Sequence, residues 1–288
     1  MMLLRRTEKP QIHRSFLSRQ DGLHARAALA LTAVAILLYV LVRPEGPPNG
    51  GSFAGYTLGV VGLALVVWLS WYGIRRRRYA ERDLLVDRLS AHVYFGLALL
   101  VIAVLHAGFR FHYNVHTLAF ALMAAVIGSG VFGVYAYWRY PALMTANREG
   151  ATLDDLCAQL AALDLQCREL AASFDADTAR LVIAATGDAL RGIGVVELLL
   201  GRWDPLGGAT GAALNRLRDA FGGHGAQTPR ELLPLVDCLT RRAALVVQLR
   251  RDLRYRSLLL LWRAVHVPLS VALLVALSIH VFAVFYYW

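Results

Sequence analysis

The sequence predicts an all-α integral membrane protein: a helical bundle of five transmembrane helices with a helical cytoplasmic insert between helices 4 and 5. The chain has 288 residues, of which 57% are hydrophobic and only 17% charged, a lower charge than a soluble domain of this size carries. Arginines cluster beside the apolar segments, as they do at membrane boundaries. Five segments are long and apolar enough to cross a bilayer: 26–42, 53–74, 89–108, 115–138 and 257–287.

Arginine supplies nearly all of the net charge of +10, and Lys9 is the only lysine. A basic chain can bind nucleic acid, but here the positive residues flank apolar spans, so we predict contact with membrane lipid and no nucleic-acid partner. The positive-inside rule puts these flanks in the cytoplasm. We therefore expect a multi-pass protein of the bacterial inner (plasma) membrane, with the N-terminus cytoplasmic and the C-terminus external. The flanks are Arg5, Arg6, Arg14 and Arg19; Arg75–Arg78; and Arg250, Arg251, Arg254 and Arg256.

The chain divides by composition into four parts. Residues 1–25 form a polar N-terminal arm, and 26–141 carry transmembrane helices 1–4. Residues 142–256 form the helical cytoplasmic insert, and 257–288 carry transmembrane helix 5. The arm is long and basic and no clear cleavage site follows the first span, so we expect no cleavable signal peptide.

Three sequence patterns within the insert indicate where its helices begin. Thr152-Leu-Asp-Asp155 has the pattern of an N-cap with an acidic first turn, and Asp175 is a candidate cap for a second helix. Thr228-Pro229-Arg230-Glu231 predicts a last helix, which we expect to continue into span 5.

Three cysteines, Cys157, Cys167 and Cys238, lie in the predicted cytoplasmic insert. The cytosol keeps thiols reduced, so we expect no structural disulfide among them. The sequence contains no C-x-x-C-H motif for covalent haem and no four-cysteine pattern for an iron–sulfur cluster.

Two pairs of histidines with the same spacing are the strongest functional signal. His92 and His106 lie 14 residues apart in span 3, and His266 and His280 lie 14 residues apart in span 5. Fourteen residues make nearly four helical turns, so both histidines of a span share one helix face, about 21 Å apart along the axis. Spans 3 and 5 run parallel, which predicts that His92 pairs with His266 on the cytoplasmic side and His106 with His280 on the external side.

The predicted sites are bis-imidazole sites for two non-covalent haem b groups, in which all four histidines bind iron. Three arginines are candidate partners for the haem propionates, because each lies at the interfacial end of its helix. Snorkelling or anchoring at the membrane surface explains these arginines equally well. They are Arg88 before His92, Arg110 after His106 and Arg263 before His266.

Small residues and two further histidines accompany the pairs. Gly96, Gly108 and the Gly128–Gly133 segment allow close helix packing or give room for a porphyrin. His112 and His116 form an i,i+4 pair that has four possible roles: binding a metal, donating to a propionate or quinone, replacing His106, or forming only interfacial hydrogen bonds.

These histidines give the chain a resemblance to the di-haem membrane cytochromes b. That class includes the cytochrome b subunits of quinol-oxidising complexes and the membrane domains of ferric reductases and NADPH oxidases. The resemblance rests on the spacing and on the flanking text Ala91-His-Val-Tyr-Phe-Gly96 and His106-Ala-Gly-Phe-Arg110, within spans 3–5. It implies electron transfer across the bilayer through two bis-histidine haems.

We expect a membrane subunit of a quinone-linked or partner-linked redox complex rather than a self-contained enzyme, since no FAD- or NADPH-binding segment follows span 5. The expected partners are a cytoplasmic flavin or iron–sulfur protein, or an external cytochrome, with quinone as a possible further cofactor. Two other hypotheses stay open. One is a haem-free scaffold or signalling protein with structural histidines, and the other is a histidine-lined metal transporter, which the apolar residues between His92 and His106 disfavour.

Overall fold

A computed structural model describes residues 22–42, 50–75, 82–187, 194–202, 209–221, 230 and 232–287. Within these ranges the chain forms helices and turns and no strand, in agreement with the all-α prediction. The helices are α1 (Leu23–Leu41), α2 (Phe53–Arg75), α3 (Arg82–His106), α4 (Val115–Arg148), α5 (Leu153–Ala171), α6 (Ala176–Gly187), α7 (Val195–Leu200), α8 (Ala209–Phe221) and α9 (Leu233–Tyr287).

Within the described ranges, five helices, α1–α4 and α9, are long and apolar enough to cross a membrane. The predicted five-span, multi-pass architecture is therefore confirmed at the level of the fold. The helices exceed the apolar segments: α1 begins at Leu23 and α3 at Arg82, before the predicted starts at 26 and 89. Helices α4 and α9 have 34 and 55 residues, whereas a bilayer needs about 20. Both helices are therefore longer than a single crossing requires.

Residues 1–132 and 264–288 contribute to one compact unit. Within it, α3 packs against both α1 and α2. Ile102 of α3 is fully buried and contacts Ala35 of α1 and Leu58 of α2 in one apolar cluster. A second apolar cluster joins α2, α3, α4 and α9 through Val66, Leu69, Leu99, Met123 and Leu273.

The outer surface of this unit is apolar. Leu29 and Leu41 of α1 and Phe282 and Phe285 of α9 are each more than 60% exposed. Large apolar side chains on the outside of an apolar helix are stable in hydrocarbon and unfavourable in water. These helices therefore present a surface that contacts lipid.

Residues 133–263 form the second compact unit, in which the predicted caps are confirmed. The Thr152 side chain accepts a hydrogen bond from the Asp155 backbone N–H, and the Asp155 carboxylate accepts one from the Thr152 backbone N–H. Asp175 accepts from the backbone N–H groups of Asp177 and Thr178 at the start of α6. The domain boundaries at 141/142 and 256/257 stay a prediction.

The last helix runs without a break from Leu233 to Tyr287, as the sequence predicts for a helix that enters span 5. Residues 228, 229 and 231 of its predicted start lie outside the described residues. Inside the second unit, the fully buried carboxylate of Asp252 on α9 accepts two hydrogen bonds from Arg148 on α4, at 2.7 and 2.6 Å. Two hydrogen bonds from one guanidinium compensate the cost of burying this charge.

The expectation of three reduced thiols was wrong for two of the cysteines. The structure joins Cys167 of α5 to Cys238 of α9 in a disulfide, with a Cα–Cα distance of 5.9 Å, and Cys157 is a free, exposed thiol. The prediction used only the compartment assigned to the insert. Packing of α5 against α9 brings together residues that lie 71 apart in sequence, and sequence spacing does not indicate this contact.

His24 links α1 to α3. Its Nε2 lies 3.1 Å from Oδ1 of Asp87, so it forms a hydrogen bond between the first turn of α1 and α3. The contact fixes the position of α1 beside the helix that carries His92 and His106. Arginines 5, 6, 14, 19, 76, 77 and 78, which carry part of the predicted cytoplasmic charge, lie outside the described residues.

Candidate functional site

The four spaced histidines lie in the membrane unit, two on α3 and two on α9. We call His92 and His266 the first pair, and His106 and His280 the second pair. The imidazoles of the first pair are close enough to interact electrostatically. In the second pair the ring centroids are 6.1 Å apart and the ring planes lie at 85°. Imidazoles that bind one metal ion from opposite sides have centroids about 6 Å apart, since each metal–nitrogen bond is about 2 Å long.

His106 is oriented by the backbone of α2. Its Nδ1 lies 2.7 Å from the carbonyl oxygen of Gly55. A carbonyl only accepts, so Nδ1 carries the proton and the lone pair of the neutral ring lies on Nε2. Metal-binding histidines typically donate their other ring N–H to a carbonyl or carboxylate in this way. His106 therefore has the tautomer that a ligand of iron requires.

Gly59 makes this approach possible. A Cβ at Gly59 would lie 2.7 Å from Cε1 and 2.9 Å from Nδ1 of His106, closer than carbon and nitrogen atoms pack. Gly50 also faces the ring, where a Cβ would lie 3.3 Å from Cε1. Because Gly59 and Gly50 have no side chain, the His106 imidazole can pack closely against α2.

His266 is oriented by a side chain of α4. Its Nδ1 lies 2.7 Å from Oγ of Ser129. Ser129 donates its single hydroxyl hydrogen to the carbonyl oxygen of Val126, at 2.8 Å. With that hydrogen given to Val126, the Ser129 oxygen accepts from Nδ1–H of His266, which places the lone pair of this ring on Nε2 as well. His106 and His266 share one tautomer although different helices orient them.

A third imidazole faces the second pair. Nδ1 of His116, the second residue of α4, lies 2.6 Å from Nδ1 of His280. The two ring centroids are 4.5 Å apart and the planes are perpendicular. A hydrogen bond was one of the four roles considered for His116, but the sequence did not indicate that its partner is His280. His112 is exposed in the turn before α4, and its carbonyl accepts from the Asn114 backbone N–H.

Glycines leave room beside the first pair. A Cβ at Gly96 of α3, one turn after His92, would meet no atom within 4 Å, whereas Gly128 lies on the exposed face of α4. At Gly130 a Cβ would lie 3.6 Å from Cε1 of His266, an ordinary contact. A neutral imidazole with its lone pair on Nε2, as in His266, has the donor chemistry of a ligand of haem iron.

The three arginines predicted to face propionates are exposed. Arg88 lies on α3 one turn before His92, Arg110 follows the end of α3, and Arg263 lies on α9. Their role in binding propionates stays a prediction. Among the residues that the structure describes, no three His, Cys, Asp or Glu side chains form a group suited to a bare metal ion.

Sequence reasoning did not identify Gly55, Gly59 and Ser129 as supports of the histidines. A hydroxyl within an apolar span is costly unless it has a partner, so Ser129 carried a signal that points to a polar neighbour. Gly55 and Gly59 resemble any other small residues of a membrane helix. Only the packing of α2 against α3 shows that they face His106.

Comparisons of the chain with family models, with curated proteins and with solved structures find no match.

Proposed function

We propose that this protein is a membrane b-type cytochrome that carries electrons across the bilayer through two bis-histidine haems. The observation that carries the proposal is that one histidine of each pair is held in the same tautomer by a hydrogen bond at Nδ1. Nδ1 of His106 donates to a backbone carbonyl and Nδ1 of His266 to a hydroxyl, so both rings present Nε2 as the ligand atom. Histidines that served only as links between helices would not need the same tautomer at two levels of the bundle.

Haem iron supplies the one-electron chemistry when it is bound, and the chain's residues position it. The histidines of α3 and α9 provide two ligands at each of two levels, about 21 Å apart along each helix. If each haem took two imidazole ligands from α3 and α9, its iron would have no free position for oxygen and would supply electron transfer rather than oxygen chemistry. Apolar clusters that involve α1–α4 and α9 pack around the helices that carry both pairs.

The proposed setting is the bacterial inner membrane, with the N-terminus in the cytoplasm. Arginines 250, 251, 254 and 256 on α9 support a cytoplasmic position for the insert by the positive-inside rule. A cytoplasmic insert would offer a docking surface to a flavin or iron–sulfur protein, while the opposite face would serve quinone or an external cytochrome. Disulfides are rare in the cytoplasm, so the Cys167–Cys238 disulfide does not support this orientation, which rests on the arginines.

Reconstitution in vesicles tests electron transfer across the membrane. Vesicles containing the protein and trapped ferricyanide receive a membrane-impermeant reductant outside. We expect the trapped ferricyanide to be reduced far faster than in protein-free vesicles. The His92→Ala/His266→Ala double variant should lose most of this increase in rate, because it lacks one of the two haem sites. Equal rates with and without the unmodified protein would contradict transmembrane electron transfer.

The support from Ser129 gives a separate expected result. Ser129→Ala removes the acceptor that orients His266, and removal of such a supporting contact typically weakens metal-site affinity about 10- to 100-fold. The affinity is measured by titrating haem into protein made under haem limitation. Ser270→Ala is the matched control, since the Ser270 hydroxyl donates to the backbone carbonyl of His266 and not to its ring. Equal weakening by both variants would argue against a specific role for Ser129.

A further inference from the structure

In the second pair, His280 is oriented by a contact that differs from those of His106 and His266. His106 has the Gly55 carbonyl as its acceptor, and His266 of the first pair has the Ser129 hydroxyl. The side-chain contact at Nδ1 of His280 is the imidazole of His116, at 2.6 Å. His116 comes from α4 and His280 from α9, so the contact joins two helices.

The distance allows only two arrangements of the proton between neutral rings. A neutral imidazole has one N–H and one acceptor nitrogen. If His116 donates, the lone pair of His280 is used at Nδ1 and its Nε2 carries hydrogen, which prevents binding to a metal through Nε2. If His280 donates, its lone pair lies on Nε2, as in His106 and His266.

We propose that His116 is a positioning residue for the second haem: it accepts the Nδ1 hydrogen of His280 and so fixes that ligand's tautomer and ring plane. The inference rests on the proposed function and deepens it, because it assigns a role to a histidine outside the two spaced pairs. Three ligands then have acceptors of three kinds, namely a carbonyl, a hydroxyl and an imidazole. The perpendicular planes of His116 and His280 let the His116 lone pair point along the N–H bond of His280.

This role differs from the alternative in which His116 is itself a ligand. The centroids of His106 and His280 are 6.1 Å apart, the spacing expected for two ligands of one iron. The centroids of His116 and His280 are only 4.5 Å apart with the nitrogens in hydrogen-bond contact, which leaves no space for a metal between them. His106 is therefore the partner of His280, and His116 acts through His280.

The test compares three variants: His116→Ala, His116→Gln and His112→Ala. Haem affinity is measured by titration. The midpoint potential and the low-temperature electron paramagnetic resonance spectrum are measured for each haem. The glutamine side chain keeps an acceptor oxygen near Nδ1 of His280, whereas alanine leaves none. His112 is an exposed histidine four residues earlier, before α4, and serves as the matched control. Each variant is also made with His92→Ala, so that the remaining haem is that of the second pair.

We expect His116→Ala to weaken haem binding at the second pair about 10- to 100-fold and to shift the midpoint potential and ligand-field signature of that haem alone. His116→Gln should restore most of the affinity and signature, and His112→Ala should match the unmodified protein. An unchanged affinity and potential in His116→Ala would overturn the proposal. Complete loss of the second haem in both alanine and glutamine variants would identify His116 as a ligand and overturn it as well. An unmodified protein that binds no haem at all would instead refute the proposed function.

Discussion

Replacing one histidine of either pair by alanine is expected to lower the haem content of the purified protein from about two to about one per chain. Each haem needs both of its imidazoles for low-spin binding, so His92→Ala should remove the first haem and His280→Ala the second. Haem is measured by pyridine haemochrome absorbance against protein concentration. The reduced spectrum of each variant should keep the bands of the other haem.

Combinations of these substitutions test the pairing itself. His92→Ala/His266→Ala should lose no more haem than His92→Ala alone, because both residues belong to one site. His92→Ala/His280→Ala should lose both haems, because the residues belong to different sites. His112→Ala is the control and should keep both. Loss of both haems in the first combination would contradict two independent pairs, provided that its elution and helical circular dichroism match the unmodified protein.

Gly59→Ala is expected to remove most of the second haem while leaving the first in place. The new Cβ would lie within 3 Å of Cε1 and Nδ1 of His106, so the ring must leave the position in which it donates to the Gly55 carbonyl. The backbone of α2 cannot yield easily, because buried residues of α2 pack against α3 in two apolar clusters. The haem-to-protein ratio and the loss of one set of reduced bands measure the effect.

Gly62→Ala is the matched control, since Gly62 lies on the same helix three residues later. A Cβ at Gly62 would meet Leu99 at 3.8 Å and Ile102 at 3.9 Å, both ordinary contacts. Alanine also favours helix over glycine by about 1 kcal/mol, so this variant should fold at least as well as the unmodified chain. Full haem content in both variants would show that Gly59 does not hold His106 in place.

The sequence was sufficient to predict the membrane architecture because its signals are local. Apolar length shows where a helix can cross a bilayer, and the five spans that it predicted are helices in the structure. The caps at Thr152 and Asp175 are equally local, since each joins residues two or three positions apart. Helix periodicity likewise places His92 and His106 on one face of α3.

The supports of the histidines were not predictable, because they come from packing between helices distant in sequence. The His106–Gly55 contact spans 51 residues, and the His266–Ser129 contact spans 137. The His116–His280 contact spans 164. The Cys167–Cys238 disulfide was missed for the same reason, since only the fold brings α5 against α9. Residues that act through a neighbour leave little trace in spacing or composition.

The most direct test of the central claim is the absorption spectrum of the detergent-purified protein, oxidised and then reduced with dithionite, together with its haem-to-protein ratio. We predict low-spin b-type bands and about two haems per chain. A colourless protein from cells well supplied with haem would contradict the cytochrome proposal. The histidines would then be structural, and the haem-free scaffold or signalling hypothesis would take its place.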